Sequence, residues 1–338
     1  MFLWVAIKKL CLWSFYTLVT LGITGTSYQY ISNKLDERTY LAPGKMVDIG
    51  GYRLHIQESG MEHSGPTIIV DAGAGNYSLD WALIQPQIAK FAHVISYDRA
   101  GDGWSDESPL PRNSKNMMME LHALLQKAGI SGPYIFVGHS LGGLNAQIYA
   151  HLYPDEIAGI ILVDSSHEDQ DQRLPKPPFD MGSNTMMRYV ALCAAYTGFI
   201  RLAFKFTLPP VHLPEHLANI RYAHLCTPKF IRTAFHMTQL FDESNKQLRE
   251  LGASLGDLPL LVISAGKANT VQSTGGMYTQ EQLDSMFSIW QELQKDLLVR
   301  SSNSKQMIAE KSGHMIPNEQ PEIIVDAVHE MVQQLKQS

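Results

Sequence analysis

Short apolar runs alternate along most of the chain with longer stretches in which apolar residues recur at helical spacing. The runs cover 67–70, 94–97, 134–137, 160–163, 260–264 and 307–310. Helical spacing fills intervals such as 79–91 and 115–128. Strands separated by helices need crossover connections, so the pattern predicts a largely parallel sheet covered on both faces. Ahead of it, residues 46–49 and 52–56 alternate around Gly50-Gly51, which predicts a hairpin.

The alternation breaks between about 166 and 257. That stretch carries helical patterns and prolines at 175, 177, 178, 209, 210 and 214, but no strand pattern. It reads as a helical cap inserted after one sheet strand. Its most apolar piece, 189–200, is bounded by Arg188 and Arg201. Twelve residues are too few to cross a bilayer, which needs about 20. The piece is expected to pack over the carboxyl ends of the strands, with contact to a membrane surface as the other reading.

Residues 10–25 are uncharged and mostly apolar, and Lys8 and Lys9 precede them. Tyr28, Tyr30 and Ile31 extend the run toward the length of a span. The lysines favour a cytosolic N-terminus with the remaining chain outside the cytoplasm. The organisation is therefore read as an uncleaved signal anchor over 1–30, a polar linker over 31–45, and one large domain over 46–338. A cleaved signal competes with this, although Gly25-Thr26-Ser27 is a poor cleavage site. A soluble amphipathic helix is the third reading.

Bulk composition narrows the classes further. The chain of 338 residues is 45% hydrophobic and 18% charged, ordinary for a globular protein, with formal net charge −6. No lysine- or arginine-rich run marks a nucleic-acid surface. Cys11, Cys193 and Cys226 have no C-x-x-C spacing, so no zinc site is expected. Cys193 and Cys226 either pair in an oxidising compartment or remain core thiols.

Candidate chemistry centres on Gly138-His139-Ser140-Leu141-Gly142. It follows the apolar run 134–137 and opens a helical pattern. Strand, sharp turn and helix with serine at the tip expose a nucleophilic hydroxyl. The turn also aims the Leu141 N–H where an oxyanion could form. A serine hydroxyl needs a base in contact. His314 is chosen among thirteen histidines because it follows the last predicted strand. His139 is expected to hydrogen-bond in the elbow wall instead. The acid is assigned to Asp164, at the tip of the strand after the elbow helix. Glu281, Asp284 and Asn269 are the alternatives, because the loop 265–269 holds no carboxylate. Gly73, with Ala74 next, is the expected second oxyanion donor.

These motifs resemble the α/β-hydrolase superfamily, more narrowly its membrane-tethered bacterial esterase- and peptidase-like members, over about 46–338. Asp71-Ala72-Gly73-Ala74-Gly75 is similar to the oxyanion loop, which usually opens His-Gly. Asp98-Arg99-Ala100-Gly101-Asp102-Gly103-Trp104-Ser105 is similar to the family's D-R-x-G-x-G-x-S turn. The departure is the missing aspartate after the strand ending at Ser264. Some relatives carry the acid one strand earlier, which fits Asp164. Epoxide hydrolases and haloalkane dehalogenases of this fold place aspartate at the nucleophile, against Ser140.

The resulting expectation is a serine hydrolase that cleaves an ester-like bond in a small acyl substrate, with no metal or cofactor. The alternatives are an aminopeptidase or amidase and a ligand-binding homologue without turnover. An aminopeptidase needs a carboxylate for a free amine, for which Glu168, Asp169 and Asp171 are the candidates.

Overall fold

The computed structural model describes residues 2–176, 184–208 and 213–337. Eight strands form one sheet in the order β1-β2-β4-β3-β5-β6-β7-β8. They are β1 (Lys45–Asp48), β2 (Arg53–Ser59), β3 (Thr67–Asp71), β4 (Val94–Tyr97), β5 (Tyr134–His139), β6 (Ile157–Val163), β7 (Leu260–Ala265) and β8 (Ser304–Ala309). β1 and β2 run antiparallel to their neighbours, and every pairing from β4 to β8 is parallel. This is the largely parallel, two-sided sheet expected from the alternation, in the α/β-hydrolase class that the motif resemblance implied. The hairpin turn also forms, with the Gly50 and Gly51 N–H groups both donating to Asp48 Oδ1 at 2.8 Å.

The longer helices are α1 (Phe2–Thr39), α2 (Ser114–Ala128), α3 (Leu141–Leu152), α4 (Thr185–Tyr196), α5 (Phe199–Thr207), α6 (Glu215–Leu225), α7 (Pro228–Gln239), α8 (Phe241–Leu251), α9 (Gln280–Asp296) and α10 (Pro321–Gln337). Alternate residues of the central strands feed two cores. Tyr134 and Phe136 pack with Leu121 of α2 and Leu144 of α3 on one face. Ile135 and Val137 pack with Ile324 and Val328 of α10 on the other. Burial on both faces explains why these strands read as unbroken apolar runs. The edge strand β8 is half exposed, so its first residues carried no apolar signal.

Two local expectations are corrected. The helix expected over 79–91 is a tight turn at Ser78–Trp81 followed by one helical turn at Gln85–Ile88. Pro86 has no N–H to continue a longer helix and sits at the start of the second turn. The polar linker expected over 31–45 is helical through Thr39, because α1 continues unbroken. Polar residues toward the end of α1 have partners on the cap: Gln29 Nε2 donates to the Cys226 carbonyl at 2.9 Å, and Arg201 pairs with Asp36 at 2.8 Å. Cys193 and Cys226 are unbridged, one exposed and the other buried.

Helices α4 to α8 lie between β6 and β7, over the carboxyl ends of the strands. Pro177-Pro178 and Pro209-Pro210, two of the proline signals for the cap, lie outside the described residues. Among the described residues one helix, Trp4–Thr39, is long and apolar enough to cross a membrane.

Candidate functional site

Ser140 sits between β5 and α3 at φ 53°, ψ −118°. Ser140 and Asp164 are the non-glycine residues with positive φ among the described residues, the latter at φ 40°. Left-handed backbone costs a non-glycine residue on the order of 1–3 kcal/mol and persists where packing enforces it. Here the turn leaves no alternative. A Cβ on Gly138 would strike the backbone of Gly142 and Gly143. The Ser140 N–H donates to the Val163 carbonyl at 3.1 Å, and the Ser166 N–H donates to the Ser140 carbonyl at 2.9 Å. The elbow is therefore tied to the tip of β6, where Asp164 begins the next loop.

The three residues chosen from the sequence come together. His314 Nε2 lies 3.1 Å from Ser140 Oγ, and His314 Nδ1 lies 2.6 Å from Asp164 Oδ2. A carboxylate at Nδ1 holds the ring proton there and leaves Nε2 free to accept from the hydroxyl. Asp164 is buried, and its other oxygen accepts the Ala265 N–H at 2.9 Å. The neighbouring strand thus aims the carboxylate. Of the alternative acids, Glu281 and Asp284 lie in the first turns of α9, and Asn269 lines a cavity beside His314.

His314 is carried by a braced loop. The Gly313 N–H donates to Glu319 at 2.7 Å, and the Lys267 N–H donates to the Ser312 carbonyl at 3.0 Å. His139 Nε2 bonds the His314 carbonyl at 2.8 Å, in the elbow wall. Burial, reinforced by His314 nearby, pushes His139 down to about 3, so its ring is neutral. Trp290 of α9 meets the His314 ring edge-on, with centroids 5.8 Å apart.

Gly73 runs against the elbow. A Cβ there would lie 3.3 Å from Ser140 Cβ and 3.1 Å from His139 Nδ1. The Leu141 N–H heads α3, where first-turn donors have no acceptor in their own helix. Gly73 and Leu141, the residues expected to supply the oxyanion donors, are therefore both beside the serine. The segment carrying Gly73 is held by a residue whose role the sequence did not disclose. Buried Arg99 donates to Asp71 Oδ1 (2.8 Å) and to the carbonyls of Ala72 (2.6 Å), Gly73 (2.6 Å) and Asn76 (2.9 Å). Asn145 of α3 donates to the other Asp71 oxygen at 2.8 Å. Asp71, at the head of that segment, is thus the bracket joining Arg99, the glycine loop and the elbow helix. The clue in the sequence was Asp71 and Arg99 in two glycine-rich loops.

A cavity of about 220 Å³ opens beside His314 and Asp164. Leu174, Leu283, Met286, Phe287 and Trp290 make its wall mostly apolar. The cap covers the other flank. Phe230 of α7 reaches within 3.7 Å of the space beside Gly75, and Thr233 fills the space a side chain at Gly101 would take. The carboxylates considered as amine anchors are all engaged. Glu168 pairs with Arg300, Asp169 with Arg249 at 3.2 Å, and Asp171 accepts from Asn245 at 2.6 Å.

Residues 66–332 match the sequence profile of the alpha/beta hydrolase fold. The chain is 26% identical over 287 residues to the uncharacterized protein YqjL of Bacillus subtilis, covering 85% of this chain and 91% of that one. It is 27% identical over 305 residues to a Hormonema carpetanum protein named "Probable transporter efuK". That match takes in 86% of this chain and 42% of the fungal protein, so the chain spans less than half of that relative's length. A thermophilic esterase from Thermogutta terrifontis, solved with malate bound, superposes with a TM-score of 0.58 at 21% identity. The overlap covers 86% of this chain and 96% of the esterase, a likeness of fold.

Proposed function

Since the chain belongs to the α/β-hydrolase family, we propose that it is a serine hydrolase cleaving an ester-like acyl bond through an acyl-enzyme, with Ser140, His314 and Asp164 as its triad. The observation that carries this reading is the continuous hydrogen-bonded path from Ser140 Oγ through the His314 ring to Asp164 Oδ2.

In this mechanism Ser140 Oγ attacks the acyl carbon while its proton passes to His314 Nε2. The new C–O bond pushes the carbonyl electrons onto oxygen, and the N–H groups of Gly73 and Leu141 hold that charge. Asp164 stabilises the imidazolium without taking its proton. His314 then gives the proton to the leaving oxygen as the old C–O bond breaks. Water, deprotonated by the same nitrogen, cleaves the acyl-enzyme and restores Ser140. The apolar wall of the cavity beside His314 suits a hydrocarbon portion of the substrate. Glu168, Asp169 and Asp171, the carboxylates considered as amine anchors, are engaged by Arg300, Arg249 and Asn245, which favours an ester over an aminopeptidase substrate. The reading further places α1 as a membrane anchor with the hydrolase domain outside the cytoplasm.

The test is pre-steady-state hydrolysis of p-nitrophenyl esters of graded chain length. A burst of nitrophenol equal to the enzyme concentration is expected. Ser140→Ala should remove the burst and lower turnover by about 10⁵–10⁶. Wild-type turnover in Ser140→Ala would overturn the proposal.

A further inference from the structure

Among the described residues the cap leaves an apolar surface without a partner, and its place in the fold says what covers it. Helices α4 and α5 meet at a 91° bend around Thr197 and Gly198. On α5, Phe199, Leu202 and Phe206 recur at a spacing that puts them on one face. They are 64%, 54% and 78% exposed. The opposite face of α5 is docked: Arg201 is buried against Asn33 and Asp36 of α1, and its carbonyl accepts the Tyr222 hydroxyl at 2.6 Å. On α4, Met186, Tyr189 and Val190 are likewise exposed. So large an unpartnered apolar surface marks an interaction site.

The bend is fixed to α1 at one level. Gly25 has no room for a Cβ against the Thr197 carbonyl, and a Cβ on Gly198 would lie 2.8 Å from Tyr28 Cδ1. Gly25 ends the apolar run that begins at Leu10, and Tyr28 and Tyr30 follow it. In a spanning helix that is the height of the membrane–water interface, where tyrosines gather. Together α4 and α5 are apolar enough to pass for a span, but at twelve and nine residues neither can cross. Short helices at that height, with apolar residues exposed and with Arg188 in α4 and Lys205 in α5, have the make-up of elements lying in the interface.

We propose that the α4–α5 elbow of the cap is seated in the same lipid bilayer that holds α1, with Phe199, Leu202 and Phe206 in the acyl region. The occupant is the bilayer because the bend at Thr197 and Gly198 packs on Gly25 and Tyr28, the residues at which the apolar run of α1 ends. This inference rests on the anchoring role given to α1 and is independent of the chemistry at Ser140. It places the cap, which packs through α7 against the glycine loops of the site, at the edge of the lipid phase.

The experiment uses the full chain in nanodiscs of phosphatidylcholine and phosphatidylglycerol. In a Cys11→Ser, Cys193→Ser background, bimane is attached to Leu12→Cys, Phe206→Cys or Val299→Cys. Val299 is 85% exposed and lies just ahead of β8, at the amino end of the strands. Nitroxide lipid should quench the Leu12 and Phe206 labels about twofold or more and leave Val299 bright, whereas aqueous iodide should do the reverse. Quenching of Leu12 alone, with Phe206 behaving like Val299, overturns the seating and leaves the anchor standing. A Phe206 label shielded from both quenchers means a second protein chain covers the elbow, and also overturns it. An unquenched Leu12 label overturns the anchor and the seating together.

Discussion

His139 Nε2 lies 2.8 Å from the carbonyl oxygen of His314, so the residue immediately before the elbow serine anchors the loop that brings the imidazole to it. The ring is buried and can offer its one proton only to that carbonyl if Nε2 is the protonated nitrogen. A side chain with no donor at this position leaves the carbonyl without its partner and lets the loop drift. His139→Phe is therefore expected to lower kcat by about 10²-fold, the cost of a displacement near 1 Å at a reacting group. Steady-state kinetics on a soluble ester checks this; an unchanged kcat would show that Glu319 and Ser312 brace the loop alone.

The same histidine gives stability a pH dependence. An unfolded histidine takes up a proton below about pH 6.5, whereas buried His139 stays neutral down to about 3. Between those values the unfolded chain binds more protons than the folded one. Stability therefore falls as pH falls, by at most ~1.4 kcal/mol per pH unit. Asp80 works the other way. Burial, opposed by Arg221 and Arg99, pushes it up to about 6. It favours the folded state below the ordinary carboxylate range and loses that contribution as pH rises through 6. Comparing wild type with His139→Phe isolates the histidine. The wild type's urea midpoint relative to the variant should drop between about pH 7 and about pH 4.5.

Asp164 combines an unusual backbone with its contact to His314. Its φ of 40° suits asparagine as well as aspartate, and the bond from the Ala265 N–H can be kept by an amide oxygen. Asp164→Asn should fold normally, by circular dichroism and thermal midpoint, and lose about 10⁴-fold in kcat through the wrong imidazole tautomer. Retained activity would return the acid's role to Glu281 or Asp284.

Arg99 is a structural prediction. Arg99→Met strips four hydrogen bonds from the glycine loop and leaves Asp71 with Asn145 as its partner. Removing one member of a buried ion pair costs about 3–5 kcal/mol. Denaturant unfolding should report a loss in that range. Arg99→Met combined with Asp71→Leu should recover part of it, because the Asp71 charge is then not stranded and Asp102, 3.4 Å from Arg99 Nε, is the one carboxylate of the pair that loses its arginine.

The elbow, His314 and Asp164 were legible because local chemistry dictates them: a strand, a glycine-flanked serine and a helix, then residues at the tips of parallel strands. Asp164 could be chosen over later carboxylates because the loop after β7 holds none. Tertiary contacts explain what was missed. The polar residues Gln29, Asn33 and Asp36 look like a linker until the cap is folded against them. Arg99 looks like part of a turn motif until Asp71 arrives from another strand. Single-sequence periodicity also ran past Pro86, where one apolar pattern is divided between two short turns.

The account depends most on Ser140 Oγ being activated by His314, and a fluorophosphonate probe reads that property without knowledge of the substrate. Wild-type protein should take up one phosphonyl group, mapped by peptide mass to Ser140. Labelling should be absent in Ser140→Ala and slowed by about 10³-fold or more in His314→Ala. Wild-type protein that stays unlabelled while folded, or that labels as fast in His314→Ala, would contradict the account.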